Sequence, residues 1–182
     1  VRNRRSDPAR GDHVFFLDAD ERLPPDFLAT VLEGIEKEDS DLAWVWKITS
    51  PTEFPVLRKH PMALKRSGAD CLEAYLKAPR NAQVMVRRNF LDSSCVRYTE
   101  GLAYGEDFDF FVRLLLEAGR VQVEDRTFYL YHRHAFQVTR TIGRLEARKA
   151  TDEVFRRLSG FLAEKGASPD ILFEMKRHQA RA

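Results

Sequence analysis

The stretch His13–Leu23, HVFFLDADERL, restricts the fold more than any other. Val14, Phe15, Phe16 and Leu17 form an unbroken apolar run behind a Gly11-Asp12 turn. A short run dominated by β-branched and aromatic residues predicts a strand buried on both faces, as in parallel sheets. The run stops at Asp18-Ala19-Asp20-Glu21. Three carboxylates this close cannot stay unpaired in a core. The strand's carboxyl end must therefore surface there, at the edge where open α/β sheets bind ligands.

Asp18 and Asp20 are two residues apart, so on a continuing strand they would share a face. Where the chain turns, both can enter one crevice. Two hard oxygen ligands held close suit Mg²⁺ or Mn²⁺, above all when a bound diphosphate supplies more oxygens. A solvated acidic turn capping the next helix is the plainer alternative.

Composition narrows the class. Apolar residues make up 43% of the 182, and charged residues 32%, enough for one globular core. A net charge of +2 supplies no bulk attraction to nucleic acid. Cys71 and Cys95 form no motif, so a disulfide framework is not expected and a reducing compartment fits. No signal peptide is visible, and no apolar run approaches the roughly 20 residues of a bilayer helix. The chain begins at Val1, in what reads as a helix end, and is expected to be a fragment.

Beyond the acidic turn, Pro24, Pro25 and Asp26 suit a helix's first turn. Phe27, Leu28, Val31, Leu32 and Ile35 then predict one apolar helix face. Leu42–Ile48 predicts a strand, with Trp44 and Trp46 on the same side and packing against the sheet rather than a sugar. Thr49–Met62, with three prolines and His60, reads as a long loop. Ala63–Leu76 reads as partly helical, and Asn81–Arg87 as a third strand followed by a polar turn.

Gly101–Gly119 is the second informative stretch. Gly105 breaks the chain, and Glu106 and Asp107 open a helix whose stripe is Phe108, Phe111, Leu114 and Leu115, with Phe110 alongside. Glu106, Asp107 and Asp109 in the first turn suit the helix dipole. If Asp107 faces the crevice of Asp18 and Asp20, it can serve as a general base on a hydroxyl. Arg120–Val123 and Thr127–Tyr131 predict two short strands, leading into His132-Arg133-His134. Imidazole can ligate Mn²⁺ and arginine pairs with phosphate, though such a triplet is more often a surface feature. Thr141–Gly166 and Pro169–Gln179 predict helices, the first with Val154, Phe155, Leu158, Phe161 and Leu162 on one face. From Arg133 onward there are eleven Lys or Arg against six Asp or Glu. That is a solvated face or a peripheral contact with an anionic membrane or lipid-diphosphate acceptor.

In this order the motifs resemble glycosyltransferase family 2, the inverting enzymes of the GT-A fold. RNRRSDPARGDHVFFLDADERLPPDFL is similar to the family's run from "RN" to its "LDADD" strand end, which puts Asn3 in a donor-binding segment and Asp18 and Asp20 on the D-x-D motif. GEDFDFFVRLLLEAG resembles the family's "GED" helix, which puts Asp107 on the catalytic-base position with Glu106 beside it. YLYHRH and Val138-Thr139-Arg140 resemble its tail, which puts His134 on a metal- or diphosphate-contacting histidine, with Arg133 and Arg140 beside the phosphates. Glu21 departs from the family's third aspartate.

The resemblance implies an α/β fold: a partial GT-A, Rossmann-like mixed sheet flanked by helices over residues 1–140, with a helical extension over 141–182. It lacks the family's first βα units, which grip the nucleotide base, so an exposed edge and weak activity in isolation are expected. It also implies a nucleotide-sugar donor, commonly a UDP-sugar, with Mg²⁺ or Mn²⁺, and a glycan or lipid-linked acceptor in cell-envelope polysaccharide assembly. The location implied is cytoplasmic, or peripheral at the membrane's inner face. Two alternatives remain: a non-catalytic sugar- or partner-binding module, and a haloacid-dehalogenase-type phosphatase using the first Asp of D-x-D as nucleophile.

Overall fold

The structure, a computed structural model, describes residues 10–49, 67–77, 82–102, 104–131 and 143–180. In chain order the elements are β1 (His13–Phe15), α1 (Phe27–Glu38), β2 (Leu42–Thr49), α2 (Gly68–Lys77) and β3 (Ala82–Arg87). They continue with α3 (Arg88–Ser93), α4 (Glu106–Glu117), β4 (Val121–Tyr131), α5 (Arg144–Glu164) and α6 (Pro169–Gln179).

The four strands form one mixed sheet in the order β1-β3-β2-β4. β3 is antiparallel to both β1 and β2, while β2 and β4 are parallel. So β1, β2 and β4 all run the same way, and their carboxyl ends share one edge.

Alternation on each strand loads both faces. Leu42, Trp44 and Trp46 of β2 face one core, together with Val14, Val84, Val86, Val121 and Val123. Ala43, Val45 and Met85 face the other, where α1 covers them with Phe27, Val31 and Ile35. These three helix residues are fully buried, each stabilising by about 1.5–3 kcal/mol. The larger core lies under α2, α4, α5 and α6. The indole rings of Trp44 and Trp46 lie 5.0 Å apart, and Trp44 also meets Tyr75 and Phe111 edge-on. Both tryptophans are buried, so they pack the sheet face as expected.

Several expectations change. β1 ends at Phe15 and its described neighbour is antiparallel, so it is not the buried parallel strand its run implies. Phe16 leaves the sheet to pack on Tyr98 and Phe110, and Leu17 is 48% exposed. Leu28 is also outside the core, 53% exposed, while Phe27, Val31 and Ile35 of α1 are fully buried against the sheet. The polar turn after β3 is the short helix α3. The two strands expected between Arg120 and Tyr131 are one, with a bulge opposite Val45/Trp46. Cys71 is buried and Cys95 exposed, both as free thiols. The loop 50–66, with His60, lies outside the described residues.

Candidate active site

The acidic stretch is a turn across the edge of the sheet. The Glu21 amide donates to the Asp18 carbonyl at 3.1 Å, closing Asp18–Glu21 into a β-turn. The chain leaves β1 beside β3, where the Gln83 side chain donates to the Phe16 carbonyl. It arrives at β4, where Arg22 and Leu130 form an antiparallel bridge with bonds of 3.2 and 3.0 Å. β1 and β4 are the outer strands. The segment Phe16–Glu21 thus spans the carboxyl edge, about 14 Å at three strand spacings. Asp18 is half-buried and Asp20 exposed.

The same edge receives the start of α4. Ala118 ends this helix and β4 begins at Val121, whose register partner is the first residue of β2. The carboxyl end of α4 therefore sits at the amino edge of the sheet, and its first turn at the opposite edge. Gly105 precedes it at φ 79°, a left-handed conformation open to glycine at little cost. A Cβ there would meet a Val154 methyl at 3.2 Å, so α5 packs directly on this entry. Glu106 is half-buried and Asp107 exposed. Phe16, leaving β1, contacts Phe110 two turns or less from Asp107, at 5.5 Å between rings. Thus Asp18, Asp20 and Asp107 come to one edge of the sheet, and Phe16 joins their segments on the α4 side.

Asp107 also stands within electrostatic reach of Tyr75. Burial raises the Tyr75 phenol well above the ordinary tyrosine range, and the Asp107 carboxylate raises it further. Tyr75 is wedged between Phe108 and Phe111, at 5.8 and 4.7 Å. Phe108 in turn touches Phe155 of α5 and His178 of α6. Three further helices therefore hold the turn that carries Asp107. Sequence alone did not single out Tyr75; its place at the apolar spacing of α2 was the available signal.

Asp109, the third acid of this turn, has a different environment. It is buried, and its Oδ2 accepts from Thr99 Oγ1 at 2.7 Å and from Arg113 Nε at 3.1 Å. Arg113 reaches on to the Arg97 carbonyl at 2.6 Å. This carboxylate ties α4 to the segment before Gly101.

The Asp18–Asp20 pair has the oxygen chemistry that Mg²⁺ or Mn²⁺ requires, on a surface-reaching turn. Among the described residues no three or more His, Cys, Asp or Glu side chains gather closely enough to hold a metal. Two carboxylates on such a turn suit a divalent ion whose remaining oxygens a diphosphate ligand would supply. Asn3, Arg133, His134 and Arg140 lie outside the described residues.

A mixed four-stranded sheet flanked by helices is of the GT-A type, and comparison gives the same class. Residues 2–139 match Glycosyl transferase family 2, and the chain belongs to that family. It is 27% identical over 169 residues to the succinoglycan biosynthesis protein ExoO of Rhizobium meliloti, covering 86% of this chain and 49% of that protein. It is 25% identical over 151 residues to the uncharacterized glycosyltransferase YibD of Escherichia coli, covering 77% and 43%. The crystal structure of S. aureus TarS 1-349 in complex with UDP-GlcNAc shares the fold, with a TM-score of 0.72 at 16% identity, over 99% of this chain and 52% of that one. The TarS structure with UDP gives 0.65 over 99% and 48%. The chain thus spans about half the length of the relatives it matches.

Proposed function

We propose that this chain forms the metal- and acceptor-side half of an inverting, hexosyltransferase-like enzyme. It moves a sugar from a nucleotide-sugar donor, a UDP-sugar, to a hydroxyl of a glycan or lipid-linked acceptor. The observation that carries the reading is the shared carboxyl edge of the Asp18–Glu21 turn and the first turn of α4. The ligands in the TarS structures support the donor class, and the name of ExoO supports a polysaccharide product.

Asp20, with Asp18 directly or through water, would hold Mg²⁺ or Mn²⁺, and His134 would complete the set. The chemistry such an ion would supply there is to neutralise charge that grows on the departing diphosphate. Arg133 and Arg140 add charge-assisted contacts to phosphate, and Asn3 lines the donor segment. Asp107 takes the acceptor proton as the acceptor oxygen attacks the anomeric carbon from the side opposite the leaving group, and Glu106 supports that turn. A single displacement inverts the configuration and requires no enzyme nucleophile. Family membership removes the dehalogenase-type phosphatase from contention.

In the full-length protein Asp107→Asn should lower the transfer rate by about 10²–10⁴-fold, the usual contribution of a positioned base. UDP affinity, measured by calorimetry with Mn²⁺, should change little. Donor affinity lost to the same extent as rate would remove Asp107 from the base role. EDTA should abolish transfer, Mn²⁺ or Mg²⁺ should restore it, and Asp20→Ala should resist that restoration; transfer undiminished in EDTA would end the metal assignment. A protein that binds UDP-sugars but transfers nothing to any acceptor would be the non-catalytic module instead. Among the described residues no helix is long and apolar enough to cross a membrane. The working location proposed is cytoplasmic, peripheral at the inner membrane face through the basic carboxyl-terminal helices, with no role for nucleic acid.

A further inference from the structure

Arg22 directly follows the acidic turn, and its backbone is locked to the end of β4 by both bonds of the Leu130 bridge. Residues directly opposed in an antiparallel pair carry their side chains on the same face. Leu130 registers with position 48 of β2, two beyond Trp46, so it has the parity of Trp46. Arg22 therefore stands on the Trp44–Trp46 face of the sheet, which is the face that α4 covers, at the edge where α4 begins.

The Arg22 side chain is exposed, and among the described residues its guanidinium has neither a hydrogen bond nor an ion pair. Arg87, Arg113 and Arg126 differ, each engaged with carboxylates or carbonyls. Asp20 and Glu21 are its immediate predecessors in sequence, yet neither takes it up. An exposed ion pair is worth under about 1 kcal/mol, so leaving this cation open costs the fold little. A guanidinium on an immobilised backbone is, however, well suited to grip a phosphate by two parallel N–H bonds.

We propose that Arg22 binds a phosphate group of a ligand lodged at this edge, approaching from the β4 side of the Asp18–Asp20 turn. The choice of ligand rests on the glycosyltransferase reading. The phosphate comes either from the donor's diphosphate or from an anionic acceptor.

The test compares full-length wild type with Arg22→Ala and Arg22→Lys. Binding of UDP and of inorganic pyrophosphate, each with Mn²⁺, is measured by calorimetry, and donor and acceptor KM by transfer assay. If the donor supplies the phosphate, Arg22→Ala weakens UDP and pyrophosphate about tenfold or more, and Arg22→Lys recovers part of the loss. If the acceptor supplies it, both affinities hold and acceptor KM rises by a similar factor at unchanged donor KM. The thermal midpoint should not move in either variant. The proposal is overturned if both affinities and both KM values stay within about twofold of wild type. Pyrophosphate bound through Arg22 by a protein that transfers no sugar would keep this inference and discard the transferase reading. Transfer that needs Asp107 but ignores Arg22 would do the reverse.

Discussion

Two acids on one helix turn show how residue position divides the work. Asp107 is exposed at the sheet edge, whereas Asp109 is buried and engaged by Thr99 and Arg113. Removing Asp109 strands a mostly buried guanidinium, and breaking such a pair costs about 3–5 kcal/mol. Asp109→Ala should therefore lower the urea midpoint sharply, while Asp107→Asn should leave it nearly unchanged. Equal loss of stability in both would contradict the division. Sequence spacing placed all three acids of this turn together and could not rank them. Burial of Asp109 depends on Thr99 and on the Arg97 carbonyl, which reach α4 only through the folded path of the chain. Leu28 is the converse case: the helix period put it beside the apolar stripe, yet it is 53% exposed while Phe27 next to it is fully buried.

At the scale of elements, the sequence marked α1, β2, β3, α4 and α6 to within a few residues, because each carries a clean period between breakers. β4 was split in two, because Glu124-Asp125-Arg126 looks like a polar interruption. In the fold Glu124 is fully buried and neutralised by Arg126, which also reaches Glu33 at 2.6 Å and the Thr30 carbonyl at 2.9 Å. The bulge turns the charged residues into a clamp between β4 and α1. Arg126→Ala leaves a buried carboxylate alone and should destabilise by about 3 kcal/mol in denaturant melts. Glu124→Gln should cost less, since Arg126 is half-exposed and water can take it. α2 depends on a close approach instead. A Cβ on Gly68 would lie 2.0 Å from the Leu115 carbonyl oxygen and 2.3 Å from that of Ala118. Gly68→Ala must push α2 off α4, at about 3 kcal/mol or more, and should displace Tyr75 from the Asp107 turn. A variant as stable as wild type would show that this contact is looser than described.

Over the whole molecule, α5 and α6 share the main core. Val154, Phe155, Leu158, Leu162, Ile171 and Met175 belong to the same core as Trp44 and Phe111. A chain ended at Gly143 should lose its cooperative urea transition and bind a hydrophobic dye, rather than persist as a trimmed domain. The order of strands was not readable in the sequence. Nothing local says that β4 lies beside β2, or that the chain after β1 must cross to the far side of the sheet. That crossing makes the acidic turn a bridge resting on two abutments, neither of which can drift without the other. A load placed on its middle is borne by both banks. Cation and nucleotide should therefore slow hydrogen exchange at the Leu130 amide, one of the far anchors, as well as in the turn itself. Quickened or unaltered exchange there on binding would mean that the span hangs slack.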